Sequence, residues 1–407
     1  MPTNVKENGF ESSIVSWLVQ HNGYEQGSNA DYNKEIAMDE TRLFRFLNTT
    51  QADKMKQLRL ENDPLEKEKF LQRLDQSLHT NGVIDLLRKG FRYKHLVLDM
   101  FYVRPSPGNE TAAKLYAQNI FSVTRQLQYS RQNPLLALDV CLFLNGLPIA
   151  TMELKNQLTK QNAADAVKQY KDERTPDEVL FGFKRCIVHF AVDDNEVRMC
   201  TELKGQKSWF LPFNKGYNDG AGNPPNPDGI KTDYLWKEIL RKDDFSNIIE
   251  NYVQIICDED EETHKKSYKQ IFPRYHQLQL VTSLLADAKR DGVGKRYLIQ
   301  HSAGSGKSNS IAWLAHQLVT LKDATDHNIF DTVIVVTDRV NLDKQIRNTI
   351  RQFMQVSSTV GWAKDSSELG TLLEKGTKII ITIVHKFQFI LEDISKLHTN
   401  RSFAILI

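Results

Sequence analysis

An α/β protein carrying two sheet-centred domains is predicted by three observations. Apolar strands and amphipathic helices alternate over most of the chain, the rhythm changes near residue 258, and a glycine-rich loop in the second part joins a strand to a helix. The 407 residues suit two or three domains at roughly 100 to 200 residues each. Hydrophobic residues at 40% and charged residues at 26% give the balance of a folded globular chain and exclude a disordered tail.

From Phe10 to Leu87 the pattern is mostly helical, with Ile14, Trp17 and Leu18 on one apolar stripe and Leu43, Phe46 and Leu47 on another. Strands are predicted over 95–102, 135–144, 147–154, 185–191 and 196–200, with a helix over 162–171. This makes a mixed α/β domain over 1–257. Within it, 213–232 concentrates Gly, Pro, Asn and Asp and reads as an exposed loop. The acidic run at 258–262 reads as a solvated linker after an apolar helix and opens the second domain, 258–407. There the order is strand 296–300, helix 309–321, strand 332–337, helix 342–353, strand 378–384 and a last strand from Phe403, the signature of a parallel sheet covered on both faces.

A formal net charge of +2, from 53 basic and 51 acidic residues, makes no case for nucleic acid by itself. Cys141, Cys186, Cys200 and Cys257 are scattered and lack zinc or redox spacing, so reduced, mostly buried thiols in a cytoplasmic protein are expected. The polar start Met1–Phe10 carries no apolar signal core, and no stretch has the length of a membrane helix.

The run from Tyr297 to Ser308 places a strand, a small-residue loop and a helix in the order of a phosphate-binding P-loop. Gly304 and Gly306 let the backbone turn so that its N–H groups, with those of Ala303 and Ser305, face phosphate oxygens. Lys307 reaches the terminal phosphates and the Ser308 hydroxyl joins the shell of the accompanying Mg²⁺. His301 stands where the usual pattern begins with glycine. ATP is the expected ligand.

A second constellation lies upstream. Asp139 sits in an apolar strand, Asn145-Gly146 makes a hairpin turn, and the return strand ends in Glu153-Leu154-Lys155. Two carboxylates able to hold Mg²⁺, with a lysine two residues on and so on the same strand face, suit metal-dependent phosphodiester cleavage. The same three residues also fit the polar rim of an ordinary hairpin. A regular two-residue turn pairs Leu144 with Leu147 and therefore Asp139 with Met152, which sends Glu153 to the other face. The nuclease reading thus demands a β-bulge, or a loop with an odd number of residues, between Asp139 and Glu153. A second Glu-Leu-Lys, at 202–204, follows the turn-like 193–196 and is assigned to the surface.

These motifs together resemble the restriction (R, motor and nuclease) subunit of type I restriction–modification enzymes. The likeness is carried by Asp139, the run 144–156, Phe210–Gly216, Arg274–Leu278, Leu298–Ser308 and Val335–Ile346. It implies a PD-(D/E)xK nuclease domain followed by the first RecA-like lobe of a superfamily 2 motor that translocates double-stranded DNA with ATP. The partners implied are the methyltransferase (M) and specificity (S) subunits. It also implies a nuclease triad of Asp139, Glu153 and Lys155, an adenine-reading role for Gln277, and a DNA-track motif at Val335–Arg339. Some such nucleases add a Gln-x-x-x-Tyr helix, to which Gln169 corresponds, although Glu173 stands at the tyrosine position and Tyr170 is adjacent. Glu11 resembles the acid of the first nuclease helix and equally fits a residue flanking that helix. The family's DEAH box is not reached by Ile407, so the sequence is expected to be a piece of a longer subunit that hydrolyses little ATP by itself. Two other function classes are a binding or docking module without complete activity and a different helicase–nuclease fusion.

Overall fold

The computed structural model describes residues 7–105, 108–156, 160–259, 263–338, 349–350, 360–363, 365–385 and 401–407. The chain divides into two compact units, one of residues up to 255 together with 268–272, the other of 256–267 and 273–407. Both are mixtures of helix and sheet.

The first unit opens with helix α1 (Glu7–Gln20), whose Phe10, Ile14 and Leu18 recur at a spacing of four and are buried. Its seven-stranded sheet follows chain order: β1 (Glu25–Gln26), β2 (Phe121–Gln128), β3 (Ala137–Leu144), β4 (Leu147–Leu154), β5 (Val188–Val192), β6 (Val197–Cys200) and β7 (Leu211–Pro212). β1–β2 and β4–β5 pair in parallel and the other neighbours are antiparallel. Helix α2 (Ala163–Glu173) lies in the connection between the parallel strands β4 and β5, as such a pair requires. An Asn162–Asp165 capping box starts α2, and Ala163, Ala166 and Tyr170 form its buried stripe. Ala166 and Tyr170 of that stripe pack with Leu138, Cys141 and Phe143 of β3. All eight positions of β4 are buried, which is why Leu147–Leu154 reads as a nearly continuous apolar run.

Two expectations are corrected here. The predicted strand 95–102 is instead two short strands, Phe91–Tyr93 and Leu96–Leu98, in a separate sheet, because Lys94 takes a left-handed backbone (φ 53°) that turns the chain. Residues 254–259, which include the start of the acidic run, are a strand paired with Lys266–Ile271, so the run does not open as a plain linker; 260–262 lie outside the described residues. β2 was not foreseen, although its apolar Phe121, Val123 and Leu127 keep the period of a strand. Loop 213–232 is largely exposed, with Phe213, Asn223 and Thr232 as buried anchors.

The second unit has helices α3 (Tyr275–Asp291) and α4 (Lys307–Val319) and strands β8 (Thr332–Thr337), β9 (Val360–Trp362), β10 (Ile379–Ile383) and β11 (Phe403–Leu406). The strands make an all-parallel sheet in the order β9-β10-β8-β11. β8 is buried throughout. The strand expected over 296–300 is absent: 295–300 are irregular and exposed, Leu298 being 98% accessible. An apolar run becomes a strand only where a neighbour takes its N–H and C=O groups, and no described strand lies against this one. Most of the predicted helix 342–353, and Arg339 of the Val335–Arg339 motif, lie outside the described residues.

No helix among the described residues is long and apolar enough to cross a membrane. All four cysteines are free thiols, three of them buried.

Candidate functional site

The bulge that the carboxylate hairpin demands is present. Asn145 (φ 51°) and Gly146 (φ 82°) make a two-residue turn of left-handed residues, and Leu144 faces Leu147 as counted. Two pairs later the register shifts. Phe143 faces Pro148 but Leu142 faces Ala150, so Ile149 is the extra residue, and its carbonyl accepts from the Ile187 amide. Beyond the bulge Val140 faces Met152, which sets Asp139 opposite Glu153. Asp139 Oδ2 accepts the Leu154 amide at 2.8 Å, so a side chain ends the ladder.

Glu153 is fully buried. Its Oε1 accepts from Arg174 Nε at 2.6 Å, and its Oε2 is buried with no hydrogen-bond partner. Burial, and after it the neighbouring Asp139 carboxyl, push the Glu153 pKa well above the usual carboxylate range, with Arg174 pulling it down. Two close carboxyls and an orphaned oxygen suit a hard cation with oxygen ligands. Among the described residues no group of three or more acidic, His or Cys side chains could hold a metal, so two carboxylates are what the described residues offer here. Lys155 follows on the same face of β4, largely buried, its amide donating to the Val192 carbonyl of β5.

Glu11, on the buried face of α1, extends this cluster. It accepts from Arg125 Nε at 2.7 Å and from Gln126 Nε2 at 2.8 Å, and Gln126 Nε2 also lies 3.3 Å from Asp139 Oδ1. Burial raises the Glu11 pKa, Gln126 and Arg125 oppose that, and Asp139 adds to it. Gln126 has φ 47° in the middle of β2, and its carbonyl accepts from Asn29 instead of a strand neighbour. Such backbone costs on the order of 1–3 kcal/mol and is held only where its surroundings fix it. Gln169 is half-buried on α2 and makes no described hydrogen bond with Asp139, Glu153 or Lys155, whereas adjacent Tyr170 is buried and bonds Thr151 Oγ1 at 2.7 Å. Glu173, where the tyrosine of the motif would fall, lies exposed 3.5 Å from Arg174. Arg174 and Gln126 were not anticipated. The alternation within β2 could have flagged Gln126; for Arg174, a lone cation after a helix, the sequence holds no signal.

In the second unit, residues 302–306 turn into α4. Gly304 (φ 74°) and Gly306 (φ 82°) are left-handed, and Gly306 caps the helix. Lys307 Nζ donates to the carbonyls of His301 (3.2 Å) and Ser302 (3.0 Å), folding back over its own loop. Gln277 of α3 is buried against that loop. Its Nε2 donates to the carbonyls of Ser305 (3.2 Å) and Gly306 (3.0 Å), and its Oε1 accepts from the Arg274 amide at 2.9 Å. His276 Nε2 donates to the Ser305 carbonyl as well, at 3.1 Å. Ser305 Oγ is buried without a partner; Ala303, Gly304 and Lys307 are exposed and Ser308 is half-buried at the first turn of α4. A left-handed glycine loop at the start of a 13-residue helix presents backbone N–H groups of the kind that suit an anion, and the residues present are compatible with a nucleotide phosphate chain.

Comparison with known proteins gives one family for each part. Residues 4–208 match the model of the type I restriction enzyme R protein N terminus, and residues 276–407 match that of the SWI2/SNF2 ATPase. The HindI type I restriction enzyme endonuclease subunit of Haemophilus influenzae is 25% identical over 284 residues, covering 67% of this chain and 25% of that protein. A type I restriction enzyme endonuclease subunit of Staphylococcus aureus is 25% identical over 389 residues, covering 93% of this chain and 37% of its own length. The chain therefore spans about a quarter to just over a third of the length of these relatives.

Proposed function

Because the chain belongs to the family of type I restriction enzyme R proteins, we propose that it forms the nuclease and first motor lobe of an ATP-dependent, DNA-translocating endonuclease subunit. In this reading the first unit is a PD-(D/E)xK-type nuclease domain and the second a RecA-like lobe. Asp139 and the unpartnered Oε2 of Glu153 would hold Mg²⁺, Lys155 would orient the attacking water or steady the pentavalent phosphate, and Gln169 would correspond to the glutamine of the Gln-x-x-x-Tyr helix. When bound, the metal supplies an acidified water and charge neutralisation on the scissile phosphate. Ala303–Ser308 hold the ATP phosphates, with Ser308 toward their Mg²⁺, and Gln277 both braces the loop and reads the base. Double-stranded DNA is the substrate, and the methyltransferase and specificity subunits are the partners that supply sequence recognition.

The single observation that carries the nuclease reading is the bulge at Ile149, which sets Asp139 opposite Glu153 beside an orphaned buried oxygen. In the assembled enzyme, Glu153→Gln is expected to abolish DNA cutting while ATP hydrolysis and translocation continue. Cutting at the wild-type rate by that variant would refute the assignment.

A further inference from the structure

Arg174 is the residue that follows α2, and its side chain is 2% exposed. All three guanidinium nitrogens are engaged. Nε donates to Glu153 Oε1 at 2.6 Å, Nη1 to the Tyr129 hydroxyl at 2.8 Å, and Nη2 to the Ala137 carbonyl at 2.8 Å. The Tyr129 ring lies 5.2 Å from the guanidinium carbon. The fork thus spans the residue after β2, the first residue of β3 and the carboxylate of β4, and it cannot rotate without breaking one of these bonds.

The consequence falls on Glu153. With Oε1 held by Nε, the carboxylate keeps one unpaired buried oxygen, Oε2, and the Asp139 carboxyl is close enough to raise the Glu153 pKa. A carboxylate left free in the same space could turn both oxygens toward a cation or swing away from it. We propose that Arg174 is a positioning residue for the metal site: it fixes Glu153 as a one-oxygen ligand and presents Oε2 to a divalent cation of the Mg²⁺ or Mn²⁺ kind. This rests on the reading of Asp139 and Glu153 as the metal carboxylates. Two effects of Arg174 oppose each other. Its positive charge repels an incoming cation, while its hydrogen bond orients the ligand. The charge is already paired with the carboxylate it holds through Oε1, whereas the bond acts directly on the liganding group. Orientation therefore dominates, and loss of such supporting contacts typically weakens metal binding on the order of 10- to 100-fold.

The test is Mn²⁺ binding by the full chain, followed by calorimetry and by the electron paramagnetic resonance spectrum of the bound ion, without DNA or ATP. Glu153→Gln is expected to remove binding at this site. Arg174→Gln is expected to weaken it on the order of tenfold or more. Arg174→Lys keeps the charge but lacks the fork, and is expected to fall between wild type and Arg174→Gln with an altered spectrum. Tyr129→Phe removes one tether of the guanidinium without changing charge, and is expected to weaken binding a few-fold. Should Arg174→Gln fail to fold, the Lys and Tyr129→Phe variants decide. Wild-type affinity and spectrum in both would overturn the role of Arg174, as would tighter binding by Arg174→Gln, which would mean that the residue acts only as a repelling charge. Unchanged Mn²⁺ binding by Glu153→Gln would instead overturn the metal-site reading itself.

Discussion

The phosphate loop and the carboxylate hairpin solve opposite problems. The loop collects its donors from consecutive residues, 303–308, and leaves Lys307 in solvent, so apart from the buried Ser305 hydroxyl its polar groups cost little when unbound. The hairpin collects Asp139, Glu153, Gln126, Glu11 and Arg174 from α1, three strands and a helix end, and buries one carboxylate completely. A site of the first kind can be damaged without harming the fold, whereas in the second kind function and stability share residues. That difference yields expectations that can be broken one at a time.

The largest expected effect is on stability. Glu153→Ala leaves the Arg174 guanidinium buried without its carboxylate, and breaking a buried pair in this way costs about 3–5 kcal/mol. Denaturant unfolding should show this loss in the first unit. A variant as stable as wild type would mean that Arg174 finds another partner, and the hairpin would then resemble the loop in tolerating change. By contrast Lys307→Ala should leave the unfolding midpoint unchanged and weaken binding of ATP with Mg²⁺ on the order of tenfold or more, since the lysine supplies a charged hydrogen bond to phosphate. Calorimetry checks this, and equal affinity for both proteins would remove Lys307 from the site.

What was legible in the sequence follows the same division. The glycine turn into α4 could be read because its residues are contiguous: Gly304, Gly306, Lys307 and Ser308 fall at fixed spacings whatever surrounds them. The strand that should enter it could not, because Tyr297, Leu298 and Ile299 have strand-like side chains and yet strand formation depends on a neighbour elsewhere in the chain. In the hairpin, Asp139, Glu153 and Lys155 were visible as residue types, and counting outward from Asn145-Gly146 even required the bulge. Its place at Ile149 was not visible, since LPIATMEL is apolar on both faces and gives no register mark. Arg174 was hidden for a stronger reason. A charged residue after a helix looks like solvent-exposed surface until the fold closes around it.

A smaller effect is expected where the loop depends on its neighbour. Gly306 has φ 82°, and a Cβ there would stand 2.4 Å from Gln277 Nε2. Gly306→Ala should cost about 1 kcal/mol from the left-handed backbone alone, and should also displace the amide that braces Ser305 and Gly306. If Gln277 is a brace, Gln277→Ala should lower affinity for ADP and for GDP alike. If it mainly reads adenine, ADP alone should suffer, and parallel titrations with the two nucleotides separate these outcomes.

The smallest effect at neutral pH, growing in acid, is expected at His189. This residue lies in β5, 2% exposed, with Nδ1 2.7 Å from Thr151 Oγ1, and burial lowers its pKa from the ordinary 6.5 to about 3. The folded state therefore holds the ring neutral where the unfolded chain would protonate it. Its contribution to stability is fully present above about pH 6.5 and is lost as pH falls from there toward 3, at up to about 1.4 kcal/mol per pH unit for one proton. Gln at this position keeps an amide able to bond Thr151 but cannot titrate. His189→Gln should match wild type near pH 7.5 and lose stability less steeply below pH 6, because only the groups common to both proteins, the carboxylates and the other histidines such as buried His316, still respond. Chemical denaturation of the two proteins across pH 4.5 to 7.5 measures the difference directly. Parallel curves would mean that water reaches His189 and screens it, and the core beneath the hairpin would then be as open to solvent as the phosphate loop.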